Sequence, residues 1–270
     1  MAIIQWEDTL ACLVVEPVGG DTYTAPNIPM DYRRIFGGQI LAQVLCVGAE
    51  TVESKGVSSL HAIFPAPGDL ARRVEYQVER QSDGRTFAHR LVVGQQAGAS
   101  KVVATVTFHA EESGLFHQVD APDLGEPDEA IPTEFSMIPW ETRVVGGVDL
   151  GSREVGSPDF AFWMRTPAFS GGPVAHQALL AHATDLTLIG TSLRPHFGLG
   201  EEDSPEKIQT AVTSHTLWFH KPLRVDDWLL VNQESSVVAG GRGFAQGRVF
   251  SRAGELVASF AQESMLRPLS

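Results

Sequence analysis

Cysteine and positive charge are both scarce in this sequence. The 270 residues include two cysteines, Cys12 and Cys46, which are too few for a disulfide framework. We expect both to be buried thiols in a reducing compartment. Lys and Arg number 20 against 33 Asp and Glu, and this net charge of −13 argues against general binding to nucleic acid or to anionic membranes.

Segments and motifs that direct a chain to other functions are missing as well. No apolar run approaches the roughly 18 residues of a membrane span, and the N-terminus lacks the basic region of a secretory signal. We therefore expect a cytoplasmic protein. There is no GxxxxGK(S/T) loop, GxGxxG fingerprint, HExxH or CxxC motif, or GxSxG nucleophile elbow. The histidine spacings direct the rings apart on the predicted elements, so we expect no metal and no redox cofactor.

The chain contains an internal repeat. GRTFA at 84–88 recurs as GRGFA at 241–245, and His61 in SLHAIF recurs as His215 in TSHTLWF. In each copy an apolar stretch of helical length precedes several strand-like runs separated by turn signals. Two similar motifs in the same order, at nearly the same offset, indicate two structurally equivalent units in tandem.

The periodicity within each copy predicts an α+β fold. Residues 40–52 place apolar side chains at helical spacing, and residues 73–80 alternate apolar and polar side chains as a half-buried strand does. We place the units at 1–112 and 158–270, with an acidic connection containing Gly and Pro at 113–157 that crosses the surface. Each unit is expected to pack one helix on an antiparallel sheet, and the two sheets to join side by side.

Two polar residues interrupt apolar faces in the second copy only. Asp185 lies within LLAHATDLTLI and Gln262 within LVASFAQES, whereas the corresponding positions in the first copy fall near Val47 and at Phe108. A buried carboxylate or amide must be paired, hydrogen-bonded or functional. The alternatives are a carboxylate that faces water, a local pair of Asp185 with His182, and a glutamine that only satisfies the core. If the two residues are functional, we expect them to converge near the N-terminal end of the first helix.

Several segments carry a resemblance to a known family. They are RRIFGGQILAQVL (33–45), ATDLTLI (183–189), SHTLWFHKPL (214–223), GRGFAQG (241–247) and LVASFAQESMLR (256–267). In order and over almost the whole chain, they resemble the bacterial type II acyl-CoA thioesterases. The resemblance implies a double hotdog, in which each unit wraps a curved antiparallel sheet around one long helix.

The resemblance also implies a site. In the family an Asp, a Gln and a hydroxyl side chain hold and activate water against a thioester, and Asp185 and Gln262 match the first two. The hydroxyl position holds Val212, which would weaken the activity. From strand parity we take Ser214 as the substitute hydroxyl. Gly37 and Gly38 precede the first helix, whose N–H groups suit an oxyanion.

An acyl-CoA substrate carries several phosphate charges, so basic residues should line the mouth of the site. The candidates are Arg33, Arg34, Lys221 and Arg242, with Arg72 and Arg73 beyond them. The sequence therefore predicts an acyl-CoA thioester hydrolase. One alternative is a catalytically weak acyl-CoA or acyl-chain binding protein on the same scaffold, and another is a hotdog hydratase that uses His182 with Asp185. Acyl chain length and assembly into a homo-oligomer are left open.

Overall fold

The computed structural model describes residues 4–32 and 34–269. Its helices are α1 (Trp6–Ala11), α2 (Gly37–Ala49), α3 (Pro173–Thr184) and α4 (Leu188–Leu193). Its strands are β1 (Glu16–Gly19), β2 (Thr22–Ala25), β3 (Gly56–Ile63), β4 (Val74–Asp83), β5 (Phe87–Gln96), β6 (Ala99–His109), β7 (Ile131–Pro132), β8 (Glu141–Val144), β9 (Asp159–Arg165), β10 (Ile208–Phe219), β11 (Leu229–Ala239), β12 (Arg242–Ser251) and β13 (Leu256–Pro268).

The strands form one antiparallel sheet whose two halves follow the sequence repeat. The order is β1-β2-β4-β5-β6-β3-β10-β13-β12-β11-β9-β8-β7. Strands from the first copy fill one half, and strands from the second copy, with β7 and β8 beyond them, fill the other. The halves join where β3 pairs with β10, with Leu60 opposite Leu217. This joint covers an edge strand of each half. The predicted α+β double hotdog is confirmed.

Two helices occupy the interior of the curved sheet. Most of α2 is buried because its apolar residues surround the helix rather than forming one stripe. It packs against α3, and a Cβ atom at Gly38 would collide with the carbonyl of His182. The N-terminal end of α2 therefore meets the C-terminal end of α3. Within the described residues, no helix combines the length and apolarity that crossing a bilayer requires.

The structure differs from the sequence prediction at two places. The apolar stretch around Asp185 is not one helix, because α3 ends at Thr184 and α4 begins at Leu188. The segment 113–157 does more than cross the surface, since β7 and β8 lie within it and extend the sheet. The unit bounds 1–112 and 158–270 remain our proposal.

Candidate active site

Asp185 lies where the two long helices meet. It caps the C-terminal end of α3, and only 4% of the residue is exposed. Beside it α2 begins with Gly37 and Gly38. A Cβ atom at position 37 would lie 2.6 Å from Asp185 Oδ2, and the N–H of Gly38 donates a hydrogen bond to the carboxylate. The two glycines thus allow a carboxylate to approach the positive end of a helix dipole.

The electrostatics of Asp185 suit a proton acceptor. Burial raises the pKa of its carboxyl to about 8, and the hydrogen bond from Gly38 offsets only part of that rise. Oδ1 is buried and has no hydrogen-bond partner among the described residues. A buried oxygen without a partner is costly in a protein interior unless something else occupies the position. At the site it is free to accept a proton or a hydrogen bond from a bound molecule.

Gln262 reaches this carboxylate through a histidine. His215 on β10 lies directly opposite Gln262 on β13, and both side chains point into the core. His215 Nδ1 lies 2.8 Å from Gln262 Oε1 and 3.8 Å from Asp185 Oδ1. His215 Nε2 lies 3.1 Å from the hydroxyl of Thr184, the residue before Asp185. The structure therefore brings Asp185 and Gln262 to the same nitrogen of one buried imidazole.

Neither buried histidine near the site is charged at neutral pH. Burial lowers the pKa of His215 and of His182 to about 4. His182 Nε2 donates to the carbonyl of Met137 at 3.3 Å, and its ring lies edge-on to Phe36. His182 thus makes these contacts rather than the local pair with Asp185 that sequence spacing allowed.

A bulge in β10 separates Ser214 from the strand face of Val212. The register against β13 shifts at Thr213, so that Val212 lies opposite Ser264 while Ser214 lies opposite Glu263. Ser214 does not share the face of Gln262, because it is next to His215, which lies opposite Gln262. The extra residue at Thr213 also breaks the parity with Val212 on which its assignment rested. The side chain that meets Gln262 is Ser264, whose Oγ lies 2.9 Å from Gln262 Nε2.

The basic candidates are dispersed over the molecule. Arg34 donates to the carbonyl of Thr210 at 3.0 Å, beside the part of β10 that contains Val212. Lys221 pairs with Glu255, and Arg242 pairs with Glu263 on the outer face of the sheet. Arg72 and Arg73 pair with Asp69 and Glu16 respectively. Arg33 lies outside the described residues. Arg34 thus bonds directly to the backbone of β10, two residues before Val212.

Sequence reasoning passed over His215, Ser264 and Thr184. A signal for His215 was present, because it alternates with Leu217 and Phe219 on an apolar face. Ser264 follows Gln262 by two residues and so shares its strand face. Thr184 offered no signal beyond its position next to Asp185.

Comparison with known proteins identifies the family. The profile of the acyl-CoA thioesterase N-terminal domain matches residues 25–109, and that of the acyl-CoA thioesterase C-terminal domain matches residues 117–266. Human acyl-coenzyme A thioesterase 8 is 30% identical, over 94% of this chain and 87% of its own length.

Solved structures agree in fold. Acyl-CoA thioesterase II TesB2 from Mycobacterium marinum superposes with a TM-score of 0.84 at 30% identity, covering 97% of this chain and 99% of that one. A hotdog protein of unknown function from Alicyclobacillus acidocaldarius gives a TM-score of 0.80 at 17% identity, with 97% and 98% covered, and supports the fold alone. The resemblance read from the sequence is confirmed, and the chain belongs to the acyl-CoA thioesterase family.

Proposed function

We propose that this chain hydrolyses acyl-CoA thioesters to a free acid and CoA, with Asp185 as the base that activates water. The observation that carries the proposal is the buried Oδ1 of Asp185, which has no hydrogen-bond partner in the described structure and faces the His215–Gln262 pair. A buried carboxyl with a raised pKa, beside a helix N-terminus, is the kind of group that enzymes use for proton transfer.

The reaction needs three roles. Asp185 Oδ1 accepts a proton from water as the water oxygen forms a bond to the thioester carbonyl carbon. The carbonyl π electrons move to oxygen, and the N–H of Gly37 at the start of α2 is our candidate to stabilise that oxyanion. The C–S bond then breaks as the carbonyl re-forms, and the proton on Asp185 passes to the departing CoA thiolate. No covalent bond to the enzyme is required.

Gly38 has a different role in this scheme. Its N–H is already bonded to Asp185 and so holds the carboxylate rather than the oxyanion. Gln262 would orient the water with the hydrogen-bonding capacity that its contacts with His215 and Ser264 leave unused. His215 is a poor base, because its pKa lies near 4 and both of its ring nitrogens are occupied.

The CoA end of the substrate is assigned to the segment before α2. Arg33 and Arg34 precede the helix, and Arg34 also contacts β10 next to Val212. An arginine that reaches both the α2 entrance and β10 can meet phosphate groups without entering the buried site. Lys221 is a weaker candidate, because it lies six residues beyond His215, about 20 Å along an extended chain.

The test is release of free thiol from acyl-CoAs of graded chain length, measured for the wild type, Asp185→Asn and Gln262→Leu. We expect turnover by the wild type and a fall of about 10²–10⁴-fold for Asp185→Asn, which is the usual contribution of a general base. Unchanged turnover in folded Asp185→Asn would remove Asp185 from the mechanism. Saturable binding of acyl-CoA by a wild type that releases no thiol would favour the binding-protein alternative.

A further inference from the structure

The side-chain amide of Gln262 is held at both ends. Its Oε1 lies 2.8 Å from His215 Nδ1, and its Nε2 donates to Ser264 Oγ at 2.9 Å. All three side chains are buried, with 3% or less of each residue exposed. Because water has little access to them, loss of either contact cannot be compensated by bulk solvent.

The donors and acceptors in this group fix its polarity. An amide oxygen only accepts hydrogen bonds, so His215 Nδ1 carries the ring proton and donates it to Gln262. His215 Nε2 is then an acceptor, and the hydroxyl of Thr184, 3.1 Å away, shares its one proton between this nitrogen and the carbonyl of Ala181. The chain of contacts thus runs from α3 through the imidazole to β13.

The same count shows which hydrogen-bond donors and acceptors of the Gln262 amide remain unused. A glutamine amide has two N–H donors and two lone pairs on its oxygen. Ser264 takes one donor and His215 takes one lone pair. One N–H and one lone pair remain for a bound molecule, and their directions are set by the two contacts already made.

We propose that His215 and Ser264 are positioning residues that clamp the Gln262 amide in one orientation and so fix the edge that it presents to the water beside Asp185. This inference rests on the proposed function, and it adds to the site two residues that do not themselves touch the substrate. Placement within about 1 Å is worth up to about 10²-fold in rate for a reacting group. The clamp therefore acts on kcat more than on KM.

Four variants separate the two ends of the clamp. Ser264→Ala removes the acceptor for Nε2, and we expect kcat to fall about 10-fold, as for one buried hydrogen bond. His215→Gln places its amide nitrogen where Nε2 was and leaves Gln262 without its donor, so kcat should fall about 10–10²-fold. His215→Asn places its nitrogen near Nδ1 and should recover most of that loss. Gln262→Leu removes the amide that His215 and Ser264 contact, and it serves as the background in which their variants are tested again.

The matched controls come from an exposed pair formed by one residue of β13 and the residue that follows β10. His220 Nε2 lies 2.9 Å from Ser259 Oγ, so Ser259→Ala and His220→Gln repeat the same chemical changes away from the site. Both should keep wild-type kcat. In the Gln262→Leu background, Ser264→Ala and His215→Gln should cause no further loss, because they act through Gln262. A full additional loss in that background, or wild-type kcat in both folded single variants, overturns the clamp.

A second measurement keeps the inference separate from the proposed function. The side-chain N–H resonances of Gln262, assigned by their loss in Gln262→Leu, should exchange slowly with solvent in the wild type and faster in Ser264→Ala. Equal exchange in both refutes the clamp even if no acyl-CoA is hydrolysed. Slow exchange in a wild type that releases no thiol would instead place the failure in the proposed function. If His215→Gln does not fold, the kcat of Ser264→Ala and the exchange rates of the Gln262 side-chain N–H groups still test the clamp.

Discussion

Asp185→Asn should make the fold more stable at neutral pH while it removes most of the hydrolytic activity. Burial raises the pKa of Asp185 from 3.8 to about 8. Between those values the carboxyl is ionised in the unfolded chain and protonated in the folded one. The free energy of unfolding therefore falls as the pH rises through this range, and it levels off above the folded pKa. Asn does not ionise, and it keeps an oxygen that can accept the N–H of Gly38.

The size of the effect follows from the two pKa values. Each unit of pKa difference corresponds to about 1.4 kcal/mol. Burying an amide has its own cost, but that cost does not vary with pH. The difference in unfolding free energy between Asp185→Asn and the wild type should therefore grow by about 4 kcal/mol from pH 5 to pH 8. That is a large part of the roughly 5–15 kcal/mol that stabilises a typical domain.

Urea unfolding followed by circular dichroism at a series of pH values measures this difference. Titration of the buried histidines cancels, because it is common to both proteins. Asp203→Asn is the matched control, because Asp203 is also buried but pairs with Arg153 and Lys207, which lower its pKa. That variant should be less stable than the wild type at neutral pH, with a gap that narrows toward acid pH. A difference for Asp185→Asn that stays constant from pH 5 to pH 9 would refute a buried, protonated carboxyl.

Three further predictions concern activity. If Asp185 is the base, kcat/KM should rise with pH and level off above about pH 8, since the carboxylate is the active form and its pKa lies near that value. This rise should be absent from any residual activity of Asp185→Asn. Gly37→Ala should reduce kcat about 10²-fold in the thiol-release assay, because the new methyl group would displace the carboxylate of Asp185. Gly56→Ala is the control, because nothing lies within 4 Å of its Cβ position, and its kcat should not change. Arg34→Ala should raise KM for acyl-CoA about 10-fold with kcat little changed, whereas Arg242→Ala should leave KM and kcat unchanged. A raised KM in Arg242→Ala but not in Arg34→Ala would place the phosphate contacts on the outer face of the sheet.

The repeat was sufficient to predict the architecture because each copy carries its own periodicity. Helical spacing over 40–52 and alternation over 73–80 arise because the buried face of each element carries apolar residues, so the period can be seen directly in the sequence. Asp185 and Gln262 were visible for a related reason, since a polar side chain on an apolar face contrasts with its apolar counterpart in the other copy. The periodicity and the contrast between the two copies can both be seen by comparing residues that are near in sequence or related by the repeat.

The rest of the site depends on long-range register, which residue order does not reveal. One extra residue at Thr213 separates Ser214 from the strand face of Val212 and leaves Val212 opposite Ser264. A bulge depends on how two strands pair rather than on the composition of either strand. Likewise, α3 ends at Thr184, and the side-chain carboxylate of Asp185 at its C-cap accepts a hydrogen bond from Gly38 of α2, a contact between residues far apart in sequence.

The meeting of α2 and α3 has a consequence for dilution. The proposed base comes from one half of the chain and the proposed oxyanion donor from the other, so in our scheme neither half contains a complete set of reacting groups. In an assembly of two separate chains, such a site would dissociate at low concentration. Here the peptide connection keeps the local concentration of one half around the other in about the millimolar range or above, however dilute the protein is. Specific activity should therefore not change with enzyme concentration, provided that association between whole chains adds nothing to the site.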